Sequence, residues 1–257
     1  MRRWLEAQGP LTTGLLAQQG AKLLVAPSAS GWNLATVRDR AVVYPVFPDS
    51  LSVSEQGAFQ NLCSRLHESF CLMGPLSWVS RAEACLSGPR FREMRTVDYD
   101  FLSRPWRGEP VPEDPQLTVA RPADAGVLFP LQEGYEKEEV LFSPEEFQRV
   151  VSWLAFQKTL KEQLVVIRWN GRQPVAQART NARFGAWAQI GGVYTVPSQR
   201  RRGLQKELLS YLLAKLSSAG QGACLFVKKE NLAAVNLYYS LGFGDAVDYR
   251  ISYWRKA

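Results

Sequence analysis

The constraint that most limits this chain is a strand that runs directly into a helix through a short basic turn. Residues 187–196 read as a strand closing on Val193-Tyr194-Thr195-Val196, Pro197 stops it, and Arg200-Arg201-Arg202-Gly203 turn the chain. Leu204, Leu208, Leu212, Leu213 and Leu216 then recur at helical spacing until Gly220. The first N–H groups of such a helix have no partner within it and carry the positive end of its dipole, which makes them an anion site. Gly203 has no Cβ to keep a phosphate off the main chain, and three arginines add charge. Taken alone, the same residues suit an ordinary solvated turn.

A second segment follows one strand later, Asn231-x-x-Ala234-x-x-Leu237-Tyr238-x-x-Leu241-Gly242-Phe243. Ala234, Leu237, Tyr238 and Leu241 share one face of a short helix, with Asn231 placed as its N-cap and Gly242 as its C-terminal stop. A capped helix with a core tyrosine accounts for each residue, but not for its pairing with the basic turn in this order.

That pairing resembles the GNAT superfamily of N-acetyltransferases, whose acetyl-CoA turn is Arg or Gln, two residues, Gly, one residue, then Gly or Ala. Here it reads Arg200-Arg201-Arg202-Gly203-Leu204-Gln205, and Gln205 departs from the small final residue, with a narrower pocket or altered acyl-CoA preference as the expected effect. The resemblance covers residues 117–257 and implies acetyl-CoA as co-substrate, with its pyrophosphate at Arg200 to Gln205 and Asn231 included in the donor site. Gly191-Gly192 inside a good strand reads as a bulge that frees main-chain groups. By resemblance, Val193, Thr195 and Val196 line the pantetheine arm and polarise the acetyl carbonyl, and Tyr238 protonates the departing thiolate.

The general base is less defined. Residues 187–196 contain no Asp or Glu, whereas Glu133, Glu136, Glu138 and Glu139 surround Tyr135 between the first two helices, a segment that borders the acceptor in relatives. Glu138 and Glu139 are therefore the candidate catalytic carboxylates, with a solvated helix end as the competing reading.

Composition excludes several classes. The 257 residues are 46% hydrophobic, enough for one large or two modest cores, and contain no apolar run long enough to cross a bilayer. Met1-Arg2-Arg3 leads into mixed polar sequence instead of a signal-peptide core, so the expected location is cytoplasmic. Cys63, Cys71, Cys85 and Cys224 show no Cys-x-x-Cys spacing, and the single histidine, His67, falls on an expected helix, so neither a metal site nor a Cys–His nucleophile is indicated. The formal net charge is +7, and the arginines cluster most densely at Arg200 to Arg202, which favours a local phosphate site over a nucleic-acid surface.

The expected fold class is α/β (α+β). Pro105, Pro110, Pro112 and Pro115 mark a linker over 105–116. Before it, residues 1–104 form an α/β part with strands at 21–25, 33–37, 41–47, 70–73 and 91–102. Its helices follow the Ser52-x-x-Glu55 capping box and span 75–86. That part has no catalytic constellation and could be a degenerate relative of the same fold, as in two-part bacterial acetyltransferases. After the linker, 117–257 read β-α-α-β-β-β-α-β-α-β, a mixed sheet flanked by helices. The first helix covers 124–132; the second opens at Ser143-Pro144-Glu145-Glu146 and presents Phe147, Val150, Val151 and Leu154 as its apolar face. Three functions stay open: an acetyltransferase acting on a small-molecule amine or protein amino group, a non-catalytic acyl-CoA-binding module, and a basic nucleic-acid-binding protein. The acceptor and the oligomeric state are not readable from the sequence.

Overall fold

The computed structural model describes residues 22–28, 31–38, 42–46 and 51–257. In chain order these form β1 (Lys22–Ser28), β2 (Gly31–Arg38), β3 (Val42–Val46), α1 (Val53–Ser64), β4 (Ser69–Pro75), α2 (Leu76–Leu86), β5 (Phe91–Arg104) and β6 (Leu117–Val119). There follow α3 (Ala125–Tyr135), α4 (Arg149–Glu162), β7 (Val165–Asn170), β8 (Gln173–Phe184), β9 (Trp187–Thr195), α5 (Leu204–Ser218), β10 (Gly222–Lys228), α6 (Leu232–Ser240) and β11 (Gly244–Lys256). Two compact units divide these elements otherwise than as blocks of sequence. One comprises Ser103–Leu225 and Asn236–Gly244; the other comprises the described residues up to Leu102 together with Phe226–Val235 and Asp245–Ala257.

The second unit is built on strands in the order β1-β2-β3-β4-β11-β5. Ser52 and Glu55 close the expected capping box on α1, the Ser52 N–H donating to Glu55 Oε2 at 2.6 Å and the Glu55 N–H to Ser52 Oγ at 3.4 Å. The helix ends at Ser64, so His67 lies in the exposed loop beyond it and not on a helix as expected. Phe59, Leu72, Val79, Leu86 and Trp254 are among the residues of this unit's core. The expected strand positions Ala21, Ala41 and Phe47, and the basic Met1-Arg2-Arg3, lie outside the described residues.

In the first unit the strand order is β10-β9-β8-β7-β6, with β10 parallel to β9 and the other neighbours antiparallel. The leucine stripe of α5 is buried at Leu208, Leu209, Leu212, Leu213 and Leu216, against β7, β8 and β9. A core of Leu128, Phe129, Leu131, Phe156, Leu160, Ile167 and Tyr194 joins α3 and α4 to the sheet. Two sequence expectations are corrected here. α3 runs past the expected end at residue 132 to Tyr135 and continues as one π-helical turn, Glu136–Val140, which carries Glu136, Glu138 and Glu139 of the acidic run. Pro144–Glu146 forms only an isolated 3-10 turn without a Ser143 side-chain cap, and Phe147 and Gln148 are extended before α4 starts at Arg149. That break resets the helix phase. Ser152, Phe156 and Leu160 face the core, whereas Val150, Val151 and Leu154 are 72%, 60% and 61% exposed.

The proline-rich segment is an ordered strap. Trp106 Nε1 donates to the Ser217 carbonyl at 2.7 Å, the Glu109 N–H to Ser217 Oγ at 3.2 Å, and Arg107 Nη2 to the Gly242 carbonyl at 3.2 Å. Buried Arg104 donates to the Leu241 carbonyl and pairs with Glu109, and Asp114 pairs with Arg168 on β7.

Candidate active site

The geometry starts from β9. Its parallel pairing with β10 runs from Trp187 opposite Gly222 to Ile190 opposite Leu225; beyond Ile190 no described pair joins them, although both strands continue. On its other edge β9 slips against β8: Gln177 faces Tyr194 and Arg179 faces Gly191, so three steps on β9 meet two on β8. This is the bulge expected at Gly191-Gly192, and Gly192 adopts a φ of +59° there. Val193 has no register partner among the described pairs with either neighbour.

The turn leads from this bulged end to α5. Pro197–Gln199 form a 3-10 turn, Arg201 has a φ of +62°, and Gly203, at +78°, caps the helix without a side-chain hydrogen bond. The helix starts at Leu204, directly after the turn. A Cβ at Gly203 would meet nothing within 4 Å, so the main chain is open to an incoming anion at that point. Arg201 and Arg202 are exposed.

Arg200 is differently employed. Its Nε donates to the Thr195 carbonyl at 3.0 Å, its Nη2 to Glu138 Oε2, and its guanidinium stands 5.5 Å from the Tyr194 ring centroid. Tyr194 donates its hydroxyl proton to the other oxygen of Glu138 at 2.8 Å. Burial opposes ionisation of Glu138, but the hydrogen bonds from Arg200 and Tyr194 outweigh it and hold the carboxyl below its usual range. Burial, reinforced by Glu138, pushes the Tyr194 phenol up to about 12. Glycine at 134 makes this contact possible, because a Cβ there would lie 2.5 Å from the Tyr194 hydroxyl.

Gln205 does not project into the open side of the turn. Its Nε2 donates to the Tyr194 carbonyl at 2.7 Å and to the Gln177 carbonyl at 3.4 Å, tying the start of α5 to β8 and β9. Its Oε1 is buried without a partner among the described residues, as are Thr195 Oγ1 and Gln177 Oε1. Val196 donates its N–H to the Val175 carbonyl and accepts from the Gln199 N–H, so its main chain is engaged within the protein.

Tyr238 is buried, with its ring 5.8 Å from that of Phe243. Gly242, at φ +82°, ends α6 with the Gly242 N–H on the Tyr239 carbonyl and the Phe243 N–H on the Tyr238 carbonyl, the stop expected from sequence. Burial, with smaller contributions from Tyr135 and Glu139, holds the Tyr238 phenol far above its ordinary range, so it stays protonated. Burial raises the Tyr135 phenol as well, with Arg179 and the Gly192 main chain opposing it. Glu139 is exposed yet acts on both phenols. Asn231 caps α6, accepting the Ala234 N–H at 3.1 Å.

Sequence reasoning missed the polar set beneath the bulge. Gln177, Arg179 and Asn181 alternate along β8, and the two glycines make room for them: a Cβ on Gly191 would strike Asn181 at 2.0 Å, and one on Gly192 would strike Arg179 at 2.7 Å. Three polar side chains at every second position of one strand, opposite a Gly-Gly pair, were the available signal. Another cavity, of about 410 Å³, is lined by Gly126, Phe129, Pro130, Arg149, Val150 and Trp153, none of which belongs to this set. Among the described residues no cluster of three or more His, Cys, Asp or Glu is placed to hold a metal ion, and no helix is long and apolar enough to cross a membrane.

The site thus combines a mixed sheet, a bulged strand whose described pairing with its parallel neighbour stops at Ile190, and an open helix N-terminus. Residues 130–243 match the model of the Acetyltransferase (GNAT) family, and this stretch is a GNAT acetyltransferase domain. Solved structures share the fold at low sequence identity. A Drosophila protein is 15% identical with a TM-score of 0.61, covering 99% of this chain and 85% of its own. A GCN5-related N-acetyltransferase from Kribbella flavida is 18% identical with a TM-score of 0.58, covering 97% and 94%. Another from Sphaerobacter thermophilus is 16% identical with a TM-score of 0.56, covering 92% and 80%. No curated protein sequence matches the chain.

Proposed function

We propose that the chain transfers an acetyl group from acetyl-CoA to an amine by direct attack. The observation that carries this reading is the parting of β9 from β10 at Ile190, beside a bulge and the uncapped N-terminus of α5. A pyrophosphate suits the open main chain at Gly203 and Leu204, with Arg201 and Arg202 as exposed countercharges and Gln205 fixing the helix start from beneath. Arg200 contributes by holding the turn to β9. The pantetheine arm carries amide N–H donors, and Thr195 Oγ1, buried and unpartnered, is an acceptor of the kind that such an arm needs. Val193 is left as the main-chain group for the thioester carbonyl, whereas Val196 shapes the wall and Asn231 acts through the helix that carries Tyr238.

The amine lone pair attacks the thioester carbon, the C–S bond breaks, and the sulfur leaves as a thiolate that takes the Tyr238 proton. An alkylammonium with a pKa of about 10.4 must first lose a proton. Glu138, held ionised by Arg200 and Tyr194, is a weak proton acceptor and serves to position the turn. Glu139, exposed on the same π-helical turn, is the remaining candidate carboxylate. Incubation with acetyl-CoA and a panel of amines, following free thiol, tests the reading: thiol release that depends on an amine supports it. Tight acetyl-CoA binding without release for any amine would replace it by the non-catalytic binding module.

A further inference from the structure

Arg179 is an arginine without a carboxylate. Arg104, Arg168 and Arg250, similarly withdrawn from solvent, each close on an Asp or Glu. Arg179 instead donates Nη1 to the amide oxygen of Gln132 and Nε to Asn181 Oδ1 at 3.4 Å, both neutral, and lies 5.4 Å from the Tyr135 ring centroid. Among the described residues its Nη2 meets no acceptor and no carboxylate lies within ion-pair distance. Glu136, the acid that acts on it electrostatically, is turned to the Gln132 amide, whose Nε2 donates to it at 2.5 Å. A withdrawn guanidinium costs free energy unless a countercharge compensates it. The glycine at 192 leaves room for this side chain, since a single Cβ there would collide with its Nε, Cγ and Cζ.

We propose that Arg179 is the specificity residue that binds a carboxylate of the acceptor. The acceptor of the reaction proposed above is then a small amine that also carries a carboxylate, an amino acid or close analogue, in place of a polyamine, an aminoglycoside or a protein terminus. The inference rests on that acetyl-transfer reading. Two arrangements support it. Nη2, together with the second proton of Nη1, offers the planar donor pair that a carboxylate fills. One cation balances a single negative charge, whereas a phosphate would bring more charge than is compensated there.

The test uses the full chain, acetyl-CoA, and the common amino acids, each beside its decarboxylated amine, for example phenylalanine beside phenethylamine and lysine beside cadaverine. The carboxylate-bearing members are expected to be the substrates. Arg179→Gln should raise their KM by about 10- to 150-fold, the loss of a charge-assisted hydrogen bond, while leaving KM for any slowly used decarboxylated amine unchanged. Arg179→Lys should recover part of the loss, and calorimetric binding of CoA should match wild type in both variants, which also shows that they fold. Decarboxylated amines used as well as the amino acids, or an equal effect of Arg179→Gln on both members of a pair, would overturn the inference. If acetyl-CoA binds but nothing is turned over, the acetyl-transfer reading falls separately. Calorimetric titration of the same pairs into CoA-loaded protein then decides the site, and absence of carboxylate-dependent binding overturns it.

Discussion

Replacing Gly192 by alanine adds one carbon at a position where two separate costs meet. The backbone there has a φ of +59°, a left-handed conformation that costs an L-residue about 1–2 kcal/mol. The new Cβ would also lie 2.7 Å from Arg179 Nε, 2.8 Å from Cγ and 2.9 Å from Cζ, an overpacking that costs about 1–3 kcal/mol. Gly171, in the turn between β7 and β8, has the same φ of +59°, but a Cβ added there would meet nothing within 4 Å, so Gly171→Ala isolates the first cost. Urea unfolding followed by tryptophan fluorescence should therefore place Gly171→Ala about 1–2 kcal/mol below wild type and Gly192→Ala about 2–5 kcal/mol below. Combining Gly192→Ala with Arg179→Ala removes the collision, and the double-mutant cycle should show a favourable coupling of about 1–3 kcal/mol. Equal losses at the two glycines, or a cycle that closes at zero, would refute the packing of Arg179 onto the bulge.

Tyr238→Phe keeps the packing against Phe243 and should lower the turnover number by about 10²-fold, the low end for a general acid because water can substitute, with CoA affinity unchanged by calorimetry; an unchanged turnover number returns Tyr238 to a core role. Gly203→Glu places a carboxylate in the open space before α5 and should weaken CoA binding at least about tenfold; equal affinity would remove the pyrophosphate from this turn. The Glu138 carboxyl is held below its unfolded value, so its contribution to stability is present above about pH 4.3 and is lost as pH falls through the folded value. Unfolding midpoints measured from pH 6 down to pH 3 should consequently fall less steeply in Glu138→Gln than in wild type, and parallel curves would contradict the Arg200–Glu138–Tyr194 linkage.

Much of the first unit was legible because its signals are local. Pro197, Gly203 and the leucine spacing mark a strand, a turn and a helix without reference to the rest of the chain, and Gly191-Gly192 marks the bulge. Helix phase was less legible where two signals competed: Pro144 and Glu146 look like a helix start, yet the chain stays extended at Phe147 and Gln148, and the face that includes Val150 and Leu154 turns outward. Pairings distant in sequence could not be read at all. Glu138 meets Arg200 across 62 positions and Arg179 meets Gln132 across 47, and neither side chain's periodicity announces its partner. Gln205 illustrates the same limit, since a motif position names the residue but not the direction in which its side chain turns.

The strap after Arg104 bears on how this protein can be cut. A fragment beginning at Leu117 would leave the Ser217 carbonyl without the Trp106 indole, Ser217 Oγ without the Glu109 N–H, and Arg168 without Asp114. Beginning at Ser103 keeps those bonds and the Arg104 contact with the Leu241 carbonyl. Limited proteolysis should thus find the proline-rich stretch a poor substrate for its composition, and shortened forms intended for crystallisation or activity assays are better started before it than after it.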